Sequence, residues 1–135
     1  MSPEVDVDVR VMVVDDHDSF RATAREMVSL MSGFEVVAEA ASGEEAVTVA
    51  ADVRPDLVVM DINLGAMDGI EATSHITTAR PETVVVLVST YELEDLPATA
   101  RTSGAVAYLN KAEMGIRSLR RIWAERDDAA FSHPA

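Results

Sequence analysis

The chain has 135 residues, enough for one domain with a real core and too few for two ordinary ones. It carries 11 Lys and Arg against 24 Asp and Glu, a formal net charge of −13, and no cysteine. This excludes a disulfide framework, zinc–thiolate sites and thiol catalysis, and it argues against binding nucleic acid or anionic membrane through bulk charge. No apolar run is long enough to span a bilayer and residues 1–10 have no signal-peptide pattern, so a cytoplasmic protein with no membrane or direct nucleic-acid partner is expected.

In chain order, residues 1–8 read as an N-terminal extension, and a domain over 9–130 begins with the Val-rich run Val9–Val14. Phe20, Ala24, Met27, Val28 and Met31 follow at helical spacing, with Asp18 as the expected N-cap and Gly33 as the stop. Phe34–Ala40 reads as a second strand, and Ser42 with Glu45 forms a capping-box pattern ahead of an apolar face from Ala46 to Val53. The near-continuous apolar run Leu57–Met60 is a third strand, and Asp68 with Glu71 starts a third helix that ends near Arg80. Thr83–Val88 is a fourth strand. A short fourth helix is expected from about Leu96 to Ser103, with Pro97 in its first turn. Ala105–Asn110 is a fifth strand, Ile116, Leu119, Ile122 and Trp123 give one face of a last helix from about Met114 to Ala129, and 131–135 reads as a tail. Strand and helix alternate five times, which predicts an α/β fold: a doubly wound five-stranded parallel sheet with five helices on both faces.

In such a sheet, function collects at the carboxyl ends of the strands. There the sequence places Asp15 and Asp16, Asp61, Ser89 and Thr90, and Asn110 and Lys111. Crowded carboxylates repel, and a hard divalent cation with oxygen ligands resolves that repulsion. Mg2+ would take Asp16 and Asp61 directly, Asp15 through water, and a backbone carbonyl near Asn63. A carboxylate beside Mg2+ with an ammonium and a hydroxyl opposite is also a phosphoryl-acceptor arrangement, in which Lys111 neutralises charge in the transition state and Ser89 donates to the product.

From Val9 to Trp123 these residues resemble the receiver domain of two-component response regulators, a flavodoxin-like fold. The landmarks are Val13-Val14-Asp15-Asp16-His17, Met60-Asp61-Ile62-Asn63-Leu64, Met67-Asp68-Gly69, Ser89, and Tyr108-Leu109-Asn110-Lys111. They run in the family's order, with 46 residues from Asp15 to Asp61 and 50 from Asp61 to Lys111. The resemblance implies that Asp61 accepts a phosphoryl group from a sensor histidine kinase. It implies Mg2+ held by Asp15, Asp16, Asp61 and the carbonyl of Asn63, and an acyl phosphate bound by Lys111. Ser89 and Tyr108 would form a switch pair controlling a face built from the fourth helix, the fifth strand and the fifth helix. Asn63 and Tyr91 occupy positions that influence hydrolysis; Tyr91 would either shield the phosphoryl group or pack on its loop.

The chain departs from the family at Gly65, where Pro is frequent, and at Ala112, where Pro after the lysine often brings a cis bond. His17, His75 and His133 lack ligand spacing and read as non-ligands. Arg117, Arg120 and Arg121 form a basic ridge, either a solvated face or a surface that pairs with Glu92, Glu94 and Asp95 of a second copy in a homodimer. Trp123 reads as core. A chain of this kind acts on itself and not on an external metabolite, so it is not expected to be an enzyme in the ordinary sense. Asp15-Asp16-His17 and the missing proline resemble receivers that precede a helix-turn-helix domain, so the sequence is either a stand-alone regulator or a piece of a transcription factor. Three alternatives compete. One is a phosphate-independent receiver-like interaction module. A phosphatase of related fold would need a general acid where Asn63 stands, and a nucleotide-binding module would need a Gly-rich loop after the first strand.

Overall fold

The structure, a computed structural model, describes residues 8–128. Five strands, β1 (Val9–Val14), β2 (Phe34–Ala40), β3 (Leu57–Asp61), β4 (Val84–Ser89) and β5 (Ala107–Asn110), pair in parallel in the order β2-β1-β3-β4-β5. The β-branched runs are the cause: β3 and β4 are buried along their whole length, as befits strands covered on both faces.

Alternation along each strand divides the core into two. Val9, Val11, Val13, Val59, Val86 and Leu109 face α1 (Asp18–Ser29) and α4 (Ile116–Ala124), which contribute Ala24, Val28, Leu119 and Ile122. Met12, Val14, Val58, Met60, Val85 and Leu87 face α2 (Gly43–Val53) and α3 (Gly69–Ala79), with Ala46, Ala50, Ala72 and Ile76. Trp123 packs against the first of these clusters with its ring edge-on to Phe34, centroids 6.5 Å apart. Two threonines of α3 satisfy their hydroxyls locally. Buried Thr73 donates its hydroxyl to the Gly69 carbonyl at 2.7 Å, and Thr77 donates to Thr73 and Ser103.

Several local expectations are corrected. Among the described residues there are four α-helices, not five: the segment expected as a fourth helix forms two 3-10 turns, Leu93–Asp95 and Ala98–Thr102. Pro97 is the reason, because it drives Leu96 to an extended ψ of 132° and splits the segment before a helix can nucleate. His17, not Asp18, is the N-cap of α1; Asp18 is the first helical residue and pairs with Arg21 instead. Glu45 completes the cap of α2 on the Ala41 N–H, one residue earlier than a strict box requires, while Ser42 accepts from Glu45 as expected. The last helix starts two residues later than expected, after a separate 3-10 turn at Lys111–Glu113, and ends at Ala124. Ala129, His133 and most of the expected extension and tail lie outside the described residues. The peptide bonds of the described residues are all trans, that between Lys111 and Ala112 included. No helix of the described residues is long and apolar enough to cross a membrane.

One glycine fixes how α3 meets the sheet. A Cβ on Gly69 would lie 1.9 Å from the carbonyl oxygen of Asp61, so the first turn of α3 sits directly against the end of β3. Gly69→Ala is therefore expected to cost about 2 kcal/mol or more, as overpacking against immovable backbone does. Urea unfolding should show a lower midpoint with an unchanged m-value; an unchanged midpoint would contradict this close approach.

Candidate functional site at the carboxyl edge

Because β1 lies between β2 and β3, chain crossovers leave in opposite directions at this point and open a crevice beyond the strand ends, as doubly wound sheets do. Asp15 follows β1 and Asp61 ends β3, so two carboxylates are brought to the crevice from opposite sides of the switch point. Both are buried, at 0% and 2% side-chain exposure, while Asp16 stands at the rim with 47%.

Lys111 reaches in from the end of β5. Its Nζ donates to Asp15 Oδ2 at 2.7 Å and lies 3.7 Å from Asp61 Oδ1. Asp15 Oδ1 accepts the backbone N–H of His17 at 2.8 Å, and His17 Nδ1 lies 3.0 Å from both Asp15 and Asp16. Burial works against the charge on Asp15, but the hydrogen bonds from Lys111 and His17 outweigh it and hold its carboxyl below the usual range. Asp61 goes the other way. Burial and the neighbouring Asp15 charge push it up to about 6, against the pull of Lys111 and the Asn63 N–H. One ammonium thus serves two buried carboxylates, and Asp15 receives most of it.

Ligand atoms of Asp15, Asp16, His17 and Asp61 all lie within 4.8 Å of one another. Three carboxylates so close, with one ammonium among them, fit a hard divalent cation.

Beside this cluster, Ser89 Oγ and Tyr108 Oη are 2.8 Å apart and both residues are fully buried. Ser89 also accepts the Tyr91 N–H at 3.0 Å, and Tyr108 donates to the Tyr91 carbonyl. Burial raises the Tyr108 phenol, which keeps it protonated and able to donate. Tyr91 itself is 37% exposed and its hydroxyl donates to Asn63 Oδ1 at 3.3 Å, bridging the loops after β3 and β4.

The structure thus brings Asp15, Asp16, Asp61 and Lys111 together at this edge, with Ser89, Tyr108 and Tyr91 beside them. Three further participants, His17, Phe20 and Arg21, were not anticipated, and Asn110, expected at the edge, has a role there that was not. His17, expected to be a bystander, is inside the acidic cluster. Phe20, read as part of the α1 core stripe, carries the Lys111 ammonium 4.4 Å from its ring centroid. Arg21 donates to the Asp15 carbonyl at 2.7 Å, one turn along α1 from His17. Asn110 caps the turn at Lys111 by accepting the Ala112 N–H at 2.9 Å, while its amide donates to the Tyr91 carbonyl at 3.1 Å. Only Asn110 had a local signal, an Asn three residues ahead of Glu113.

Fold and edge together define a doubly wound α/β domain built around an acidic, lysine-bearing crevice. The chain belongs to the response regulator receiver domains, whose family model matches residues 11–122. It is 36% identical over 120 residues to the response regulator GacA of Pseudomonas viridiflava, covering 86% of this chain and 56% of that protein. It is also 29% identical over 126 residues to the transcriptional regulatory protein DegU of Brevibacillus brevis, covering 93% and 53%. The chain thus spans about half the length of these curated relatives. Among solved structures it is similar to a LuxR-family two-component response regulator from Aurantimonas sp. SI85-9A1, with TM-score 0.82, 31% identity and 93% and 90% coverage. It also matches the response regulator domain of Thermotoga maritima CheB, with TM-score 0.71, 31% identity and 87% and 90% coverage.

The raised Asp61 carboxyl has a sign that can be tested. Its folded pKa of about 6 exceeds the ordinary 3.8, so the folded state binds more protons than the unfolded state between these values. Asp61 therefore costs stability as pH rises through that window, and the full cost stands above it. In metal-free buffer at pH 7.5, Asp61→Asn is expected to be more stable than wild type by on the order of 1–2 kcal/mol. The gain should fade toward pH 4. Thermal unfolding with EDTA at both pH values reads this, and a variant no more stable at pH 7.5 would contradict it.

Proposed function

We propose that Asp61 accepts a phosphoryl group from a phosphohistidine of a sensor histidine kinase. A carboxylate oxygen bonds to phosphorus as the P–N bond breaks, and the electron pair leaves with the imidazole. The observation that carries this reading is the single lysine shared by two buried carboxylates, bonded to Asp15 at 2.7 Å and 3.7 Å from Asp61.

Asp15, Asp16, Asp61 and the main-chain carbonyl of Asn63 would hold Mg2+, which supplies positive charge to the transferring phosphoryl oxygens when bound. Lys111 stays anchored on Asp15 through one N–H and has two more to give to the acyl phosphate. Ser89, engaged with Tyr108 and the Tyr91 N–H in this state, donates to the phosphoryl group once released. Tyr108 and the loop after β4 rearrange with it, a population shift of a bistable surface formed by the two 3-10 turns, β5 and α4. That surface controls a partner, self-association, or an output domain of a longer parent protein, of which GacA and DegU are models. The only chemistry catalysed is the chain's own phosphorylation and dephosphorylation, in the cytoplasm where the kinase would deliver its phosphoryl group.

Intact mass after incubation with acetyl phosphate and Mg2+ tests the acceptor. One added phosphoryl group is expected in wild type and none in Asp61→Asn or with EDTA. A wild type that stays unmodified and also binds no beryllofluoride would overturn the reading in favour of a phosphate-independent interaction module. If Tyr91 screens the acyl phosphate from water, Tyr91→Ala shortens its lifetime severalfold by the same mass measurement; an unchanged lifetime assigns the ring to loop packing alone.

A further inference from the structure

At the pole opposite the acidic edge, α2 and α3 leave a cleft of about 340 Å3 between them. This is within the range of small-ligand pockets, about 300–1,000 Å3. Its walls are mainly apolar, with Ala50 and Ala51 on α2 and Ile76 and Ala79 on α3, while His75, Thr83, Arg54 and Arg80 supply its polar lining. None of these residues takes part in the site around Asp61.

Two exceptional features of the described residues meet here. The first is Arg80 Nε, the one buried side-chain nitrogen or oxygen with no hydrogen-bond partner among them. Arg80 is held in place through its other side, Nη1 donating to the carbonyls of Pro55 at 3.0 Å and Arg54 at 3.4 Å. This leaves the edge formed by Nε and Nη2, the side of a guanidinium that takes a carboxylate through two parallel hydrogen bonds. Glu82 is the nearest acid, at 3.9 Å from Nε, an ion-pair distance and too long for a hydrogen bond.

The second is Arg54, the only non-glycine residue of the described chain with a positive φ, 54°. This left-handed cap of α2 turns the Arg54 carbonyl to accept from both Arg10, at 2.9 Å, and Arg80. Its own guanidinium makes no ion pair among the described residues. In a chain of net charge −13, two arginines beside a largely apolar cleft, one of them facing a single acid at 3.9 Å and the other none among the described residues, concentrate positive charge at this end. A desolvated N–H with no acceptor costs stability, and a ligand oxygen would recover it.

We propose that the α2–α3 cleft binds a small apolar monocarboxylate, its body between Ala50, Ala51, Ile76 and Ala79 and its carboxylate on the Arg80 Nε–Nη2 edge, with Arg54 adding charge. The apolar walls select against inorganic anions, and the fork selects against neutral molecules of the same shape.

The test is an amide chemical-shift titration of the full chain with benzoate, beside benzyl alcohol and acetate. Benzoate is expected to give saturable shifts at Ala50, Ala51, Ile76 and Ala79, with the other two at least about tenfold weaker. Arg54→Gly removes the cation at a position whose backbone glycine adopts readily, so it should fold normally and weaken benzoate severalfold. Arg80→Lys keeps the charge, loses the fork and should weaken benzoate as well. Saturable shifts absent from the cleft, benzyl alcohol binding as tightly as benzoate, or Arg54→Gly binding benzoate unchanged would each overturn the proposal.

Discussion

The bond between Lys111 and Asp15 closes the molecule on itself. It joins residues 96 positions apart, from the ends of the first and last strands, and it is made in a place where neither carboxylate of the pair Asp15 and Asp61 has water to fall back on. Two buried acids with less than one ammonium each cannot both be at ease. Asp15 takes the short hydrogen bond and the His17 N–H and stays ionised, while Asp61 is left to its neighbour's repulsion. The tension is confined by stiff surroundings: valine strands on either side, the Phe20 ring beneath the ammonium, and the Gly69 backbone hard against the Asp61 carbonyl. Whatever brings positive charge to this edge relieves a strain that the fold has already built in.

Much of this was legible because the causes are local in the sequence. A valine-rich run that stops at an acid marks a buried strand and the edge where it emerges, and Asp15 and Asp61 could be placed that way, with Lys111 placed by the end of the weaker fifth run. What was not legible depends on contacts between distant segments. Nothing near Phe20 says that its ring lies under a side chain 91 positions later, and the His17 ring enters the cluster only because the α1 cap turns it there. The expected fourth helix fails for a reason written in the sequence itself. Pro97 is tolerable in a first turn, yet the residue before it is forced out of helical geometry, and the short stretch beyond it to Gly104 makes only a 3-10 turn.

The same failure gives the segment after β4 its character. Two 3-10 turns lack the i→i−4 ladder of a helix, so little intrinsic stability resists their rearrangement. Besides the packing of Ala100, Leu93 and Leu96 on the core, they are tied to the sheet through the Tyr91 carbonyl, which accepts from both Tyr108 and Asn110, and through Ser89, which holds the Tyr91 N–H. The loop is thus tied to the two strands that border the acidic edge, by side-chain bonds that break singly. At the far pole the arrangement is the reverse: the Arg54 carbonyl gathers Arg10 and Arg80 around a helix cap, and Arg80 Nε is left without a hydrogen bond.

Lys111 is also the only lysine in the chain; every other side-chain cation of the Lys and Arg set is an arginine. Apart from the terminal amine, a reagent that acylates amines therefore finds a single target, and that target sits at the centre of the acidic edge. An ammonium held at 2.7 Å by a carboxylate must leave that partner and give up a proton to solvent before its nitrogen can be acylated, so labelling requires the pair to open. The rate of labelling at this one residue becomes a clock for that opening, readable by mass alone and without altering a residue of the chain.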